Sequence, residues 1–135
     1  MELVAYEPIL KLFIAAGLGG LVGLERQINH KAAGLRTHML VCLSSTLLMM
    51  VSLDSFPSEG ARIIAGIVTG IGFLGAGNII AQGKKGVHGL TTAANVWAVA
   101  VVGMVIGMGY YVISAISVVL IVLILFLGRL EHKWF

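Results

Sequence analysis

Charge is what this chain lacks most. Its 135 residues include nine Lys or Arg and six Asp or Glu, 11% of the total, against 59% hydrophobic residues. Soluble domains average about a quarter charged, and a fold of this size in water needs a polar surface that these residues cannot supply. The bilayer is therefore the expected solvent. Cysteine is almost absent: the single Cys42 excludes an internal disulfide and a cysteine-based zinc site, and in its apolar run it reads as a small packing residue. The four histidines, His30, His38, His88 and His132, form no HExxH and no i,i+4 pair, and read as interfacial polar residues. No basic stripe with interleaved aromatics is present, which excludes a nucleic-acid partner. The segment Met1 to Pro8 lacks the basic start of a signal peptide. No catalytic set is visible, so the chain reads as non-enzymatic, without cofactor or metal ligands.

What is present is a series of five apolar spans, near Ile9 to Leu24, His38 to Leu53, Ile63 to Ile80, Leu90 to Met108 and Tyr110 to Leu127. The expected fold is all-α, a polytopic membrane protein of five transmembrane helices. An upright span wants about 20 apolar residues, with about 17 as a lower limit. The first two spans are short for this. Either their helices run on past the charged ends, or Glu25, Arg26 and Arg36 lie at membrane depth. Lys and Arg concentrate on the cytoplasmic side of membrane proteins. Arg26, Lys31 and Arg36 fall in one loop, Lys84 and Lys85 in another, and Arg129 and Lys133 in the tail. That pattern puts the N-terminus outside and the C-terminus inside, with Lys11 snorkelling outward. The tail Glu131-His132-Lys133-Trp134-Phe135 reads as an interfacial stop with an aromatic anchor.

Glycine is abundant, 18 residues in all. Gly19/Gly23, Gly66/Gly70 and Gly103/Gly107 each fit the small-xxx-small spacing that lets membrane helices approach closely. They are the expected helix-packing glycines, and one glycine face is a candidate for self-association. Gly70-Ile71-Gly72-Phe73-Leu74-Gly75 matches a dinucleotide fingerprint in spelling only, because it lies inside an apolar span without the strand, turn and helix that motif requires.

Two runs correspond. Gly17-Leu18-Gly19, Glu25-Arg26 and Gly34-Leu35-Arg36-Thr37 are echoed by Gly70-Ile71-Gly72, Asn78 and Gly89-Leu90-Thr91-Thr92. Helices one and two then form a hairpin that is duplicated in helices three and four. The first copy carries an acid and two arginines where the second carries neutral polar groups. Ionisable groups near the membrane interior are costly and usually paired or turned to a cavity. Glu25 and Arg26 are neighbours, pointing about 100° apart on a helix, so Arg36 is the expected mate of Glu25. Arg26 is expected to face a cavity, a lipid headgroup or a second subunit. Thr37, Thr91, Thr92, Asn78 and Asn95 complete the polar cluster, as caps and interhelical hydrogen bonds or as the lining of a polar pathway. Asp54 and Glu59 are the acids of the outer face.

At these residues the sequence resembles the MgtC/SapB family of bacterial membrane proteins. The match rests on Gly23-Leu24-Glu25-Arg26-Gln27, Gly34-Leu35-Arg36-Thr37-His38, Gly70 to Gly77, and Gly89 to Ala94 with Trp97. The resemblance implies a five-helix domain of the bacterial inner membrane and a link to magnesium limitation, with survival inside host cells in pathogens. Magnesium transport and control of the proton ATP synthase are the two activities it implies. Many members carry a cytoplasmic domain after the fifth helix. Here residues 1–135 are expected to form a single transmembrane domain with no C-terminal soluble domain. The favoured function is a modulator that binds another membrane protein, with the lipid bilayer and a homodimer or other homo-oligomer as further associations. The alternative is a transporter or channel subunit for an ion, such as magnesium, or a small solute. A divalent-cation path needs several inward-facing acids, and only Glu25 sits at membrane depth, beside two arginines.

Overall fold

The computed structural model describes residues 2–81 and 88–131. Five helices account for nearly all of them: α1 (Glu2–Ile28), α2 (Leu35–Ser55), α3 (Gly60–Ala81), α4 (Leu90–Gly107) and α5 (Tyr111–Glu131), with a single 3-10 turn at Pro57–Glu59. All five are long and apolar enough to cross a membrane. There is no strand among the described residues. The short first span resolves as a helix that continues past its charged end, so that Glu25 and Arg26 lie on α1 itself. Lys84 and Lys85 and the aromatic tail from His132 lie outside the described residues.

The turns follow from local chemistry. At the end of α1, Lys31 N–H donates to Arg26 O and His30 N–H to Gln27 O, each at 3.0 Å, with His30 at φ 53°. This is a Schellman closure, with histidine in the left-handed position that usually takes glycine. The end of α4 is built the same way: Tyr110 N–H donates to Val105 O at 3.1 Å and Gly109 N–H to Ile106 O at 2.9 Å, with Gly109 at φ 89°. Gly34 precedes α2 and Gly89, left-handed at φ 86°, precedes α4. Neither cap has a side-chain hydrogen bond of its own. Instead Gln27 Oε1 accepts from Leu35 N–H at 3.3 Å.

Helices α2 and α4 lie against each other at the centre. Helix α1 packs on α2 and also reaches α4; α3 packs on α4 and also reaches α2; α1 and α3 do not meet among the described residues. Helix α5 is peripheral, resting on α4 and α1. The main core joins Ala15 and Val22 of α1, Cys42 of α2, Val99, Val102 and Ile106 of α4, and Val118 and Leu125 of α5. A second layer joins Met49, Ile67 and Met104 of α2, α3 and α4.

Glycine explains the close approach. A Cβ on Gly19 would come within 2.7 Å of Cys42 Cβ, and one on Gly23 within 2.7 Å of Leu35 Cα. From the other side, a Cβ on Gly103 would collide with Cys42 O, and one on Gly107 would lie 2.7 Å from Met49 Cβ. Helix α2 is thus held between a glycine face of α1 and a glycine face of α4, and the fully buried Cys42 is the small residue at their meeting point. Gly66 and Gly70 do not behave in this way. Nothing lies within 4 Å of a Cβ built on either, because α3 leans on α4 and stands away from α2. The expectation that they pack helices within the chain is corrected. Accordingly, Gly103→Leu should lower the thermal midpoint of the detergent-solubilised protein, at a cost of about 1–3 kcal/mol or more for overpacking, whereas Gly70→Leu should leave it nearly unchanged. Equal losses in a melting experiment would reject this division.

Candidate functional site

The polar cluster forms at the end of the bundle where α1 stops and α2 and α4 begin. Its centre is Arg26, 4% exposed. The last turn of α1 faces the first turn of α4, and Arg26 Nη2 donates to Thr92 Oγ1 at 3.1 Å. Arg26 Nη1 also lies 3.7 Å from Glu25 Oε2. Asn29 Nδ2, one turn on, donates to Glu25 Oε1 at 2.6 Å and to Glu25 O at 2.7 Å. The carboxylate is therefore held between an amide and a guanidinium on its own helix, and the guanidinium carries the link across to α4.

This overturns two expectations. Arg36 is exposed, and among the described residues it makes no ion pair with Glu25. Arg26 is turned inward against α4, away from lipid. The neighbours Glu25 and Arg26 can meet because both side chains are long and flexible, so divergent Cβ directions do not keep their tips apart. Thr37 and Thr91 are also exposed. Thr92 and Asn95, one turn apart on α4, are buried, each 4% exposed. Asn78 is half-buried on α3, where it lines a small cleft with Thr37, Leu74 and Ala93.

A second buried pair lies beside the first. His38 is completely buried. Its Nδ1 lies 2.8 Å from Gly34 O, and its Nε2 lies 2.9 Å from Asn95 Nδ2. A carbonyl can only accept, so Nδ1 carries the proton, and Nε2 of the neutral ring accepts from the Asn95 amide. One imidazole tautomer thus joins the start of α2 to the second turn of α4. Further along α2, Thr46 Oγ1 lies 2.9 Å from Cys42 O and 2.8 Å from Gly103 O, so its single proton is shared between its own helix and α4. Ser45 and Ser52 continue the buried side of α2. Sequence reasoning placed His38 at the interface and did not single out Ser45, Thr46 or Ser52. The signal was available: positions 38, 45, 46 and 52 recur at helical spacing on one face of an apolar span, and polar groups in such a span need partners.

The outer end is simpler. Glu7 and Lys11 pair at 3.0 Å, and Glu59 and Arg62 at 2.9 Å on the surface. Asp54 is exposed and borders a cleft of about 560 Å³ that also touches Glu7 and Lys11. Among the described residues no three His, Cys, Asp or Glu side chains are grouped to hold a metal ion.

The charged α1 turn, the glycine-led starts of α2 and α4, and their surrounding spans fall within a single stretch, residues 12–134, that matches the MgtC family model. The chain belongs to the MgtC family. Among curated relatives, YhiD of Escherichia coli (strain K12), named there as a candidate magnesium transporter, is 44% identical over 128 residues, covering 88% of this chain and 59% of that protein. Protein MgtC of Salmonella typhimurium (strain LT2) is 40% identical over 122 residues, covering 90% of this chain and 52% of its own length. Protein MgtC of Brucella abortus (strain 2308) is 47% identical over 106 residues, 78% of this chain and 44% of that one. The MgtC-family region here therefore spans about half the length of these relatives. No solved structure matches the chain.

Two variants separate the arginines. Arg26→Gln removes the cation beside the Glu25 carboxylate and should destabilise the protein by about 3 kcal/mol, near the lower end for breaking a buried pair, while Arg36→Gln should leave the thermal midpoint unchanged. For the second pair, His38→Leu and Asn95→Leu should each cost about 1–3 kcal/mol by orphaning the partner, and the double variant should recover part of the loss. Strictly additive losses in the melting cycle would show that the two side chains are not coupled.

Proposed function

We propose that this chain forms the membrane domain of a bacterial inner-membrane protein linked to magnesium homeostasis, and that it acts without catalysis, by binding and modulating another membrane protein. The observation that carries this reading is the commitment of the deep charged groups to the protein's own helices. Arg26 is bonded to Thr92 and faces Glu25, and Glu25 is bonded by Asn29. A path for a hydrated divalent cation wants several oxygen ligands along its length, and this end of the bundle offers one carboxylate beside a guanidinium. By contrast, α3 and α5 turn most of their apolar surface outward, the kind of surface a membrane partner meets. The magnesium link rests on the names of the relatives. The proton ATP synthase is the partner that the family resemblance suggests.

A transport role is the second reading, favoured by the name of the Escherichia coli relative and by the mixed-charge outer cleft beside Asp54. Magnesium flux into liposomes that contain only this protein separates the two. The modulator reading expects no flux above empty liposomes, and sustained flux replaces it.

The orientation proposed is N-terminus outside and C-terminus inside, supported by Arg26, Lys31 and Arg36 at the α1–α2 end and by Lys84 and Lys85 in the sequence before α4. The reciprocal contacts, α1 with α2 and α4, α3 with α4 and α2, support the duplicated hairpin as well. Cysteines placed at Ser58 and at Lys84 in a Cys42→Ala background should react with impermeant reagent from opposite sides of the membrane. Labelling of both from one side rejects the orientation.

A further inference from the structure

Between α2 and α3 runs an open cleft of about 590 Å³, lined by Leu40, Val41 and Leu48 on one side and by Ile63, Gly70 and Leu74 on the other. It follows α3 from Ile63 to Leu74, about 16 Å at 1.5 Å per residue. Apart from Ser44 and Ser45 its lining is apolar, which suits a hydrocarbon chain lying along α3. Gly66 and Gly70 form the floor, with nothing within 4 Å of a Cβ on either.

The end of this cleft nearest the α1–α2 turn changes character. Leu74 also lines the adjoining cleft of about 220 Å³, where Thr37 and Asn78 bring polar groups. On α2, Arg36 stands one turn before Leu40 and Thr37 one turn before Val41, on the same side of the helix. Both are exposed. Helical side chains lean toward the N-terminus, so an Arg36 side chain on this side of α2 leans away from the apolar span, toward the α1–α2 turn. Lys31, exposed in the preceding turn, adds a second positive charge. A largely apolar cleft that adjoins polar Thr37 and Asn78, with the exposed cations Arg36 and Lys31 at the same end of α2, is complementary to a lipid with a negative headgroup.

We propose that the α2–α3 cleft is a binding site for an anionic phospholipid, with one acyl chain lying between Leu40 and Leu74 along the glycines of α3 and the phosphate held by Arg36 and Thr37. The site is separate from the buried Arg26 network and does not depend on the modulator reading.

The test uses the whole protein, purified in mild detergent, stripped of lipid, and titrated with palmitoyl-oleoyl phosphatidylglycerol or phosphatidylcholine while native mass spectrometry counts the bound lipids. Phosphatidylglycerol should bind at one saturable site and more tightly than phosphatidylcholine. Arg36→Gln should weaken it about fivefold, the contribution of one cation near an anionic headgroup, and so remove most of the preference. Gly70→Leu, which fills the cleft, should reduce binding of both lipids without changing the thermal midpoint; if it lowers the midpoint, Gly66→Leu serves the same purpose lower in the cleft. Equal affinity for the two lipids, with no effect of Arg36→Gln, overturns the proposal. So does a wild-type dimer that Gly70→Leu converts to monomer, since the cleft then belongs to a second copy of the chain.

Discussion

Backbone contact on both sides of α2 is the constraint from which the rest of this structure follows. In a bilayer, lipid tails are as apolar as leucine, so helices gain little by hiding apolar side chains from them and must associate through close packing and hydrogen bonds. Gly19 and Gly23 bring α1 against α2, and Gly103 and Gly107 bring α4 against its other side. At such distances no large side chain can intervene. The buried side of α2 is accordingly built from His38, Val41, Cys42, Ser45, Thr46 and Ser52, with Met49 the one long unbranched chain among them. Small polar residues there serve two ends, since they permit the approach and then bond across it, as Thr46 does with Gly103 O.

The same constraint explains the charged turn. Once α2 is enclosed, the ends of α1 and α4 are drawn together, and Arg26 comes to rest beside Thr92 with little access to solvent. A guanidinium so placed needs acceptors, and the sequence supplies them locally through Glu25 and across the interface through Thr92. Arg36, one helix away on the open side of α2, has no such demand on it and remains at the surface. Two arginines ten residues apart thus end up in opposite environments.

That contrast marks the limit of what could be read from the chain beforehand. The five spans and the role of Cys42 follow from hydropathy and size, both local properties. Gly19, Gly23, Gly103 and Gly107 were legible as packing residues, but Gly66 and Gly70 have the same spacing and pack on nothing in the chain, because spacing does not say which side of a helix faces a neighbour. Which arginine is buried depends on the rotation of α1 about its axis relative to α4, and no local pattern encodes that. His38 was missed for the same reason: a histidine three residues into a helix looks interfacial until a second helix is seen to cover it.

The make-up of α2 bears on how the chain enters the membrane. It is the least apolar of the five spans, yet it is synthesised second, and the helix that satisfies His38 and Thr46 begins only at Leu90. During synthesis α2 therefore waits beside α1 with one polar side uncovered, while α3 and the start of α4 are still being made. The glycine contact with α1 is available at once and shields Cys42 and the His38 carbonyl, but the Asn95 and Gly103 contacts are not. For that interval the growing chain is a half-closed hairpin whose exposed hydroxyl and imidazole groups must be tolerated by the insertion machinery or by water at its edge.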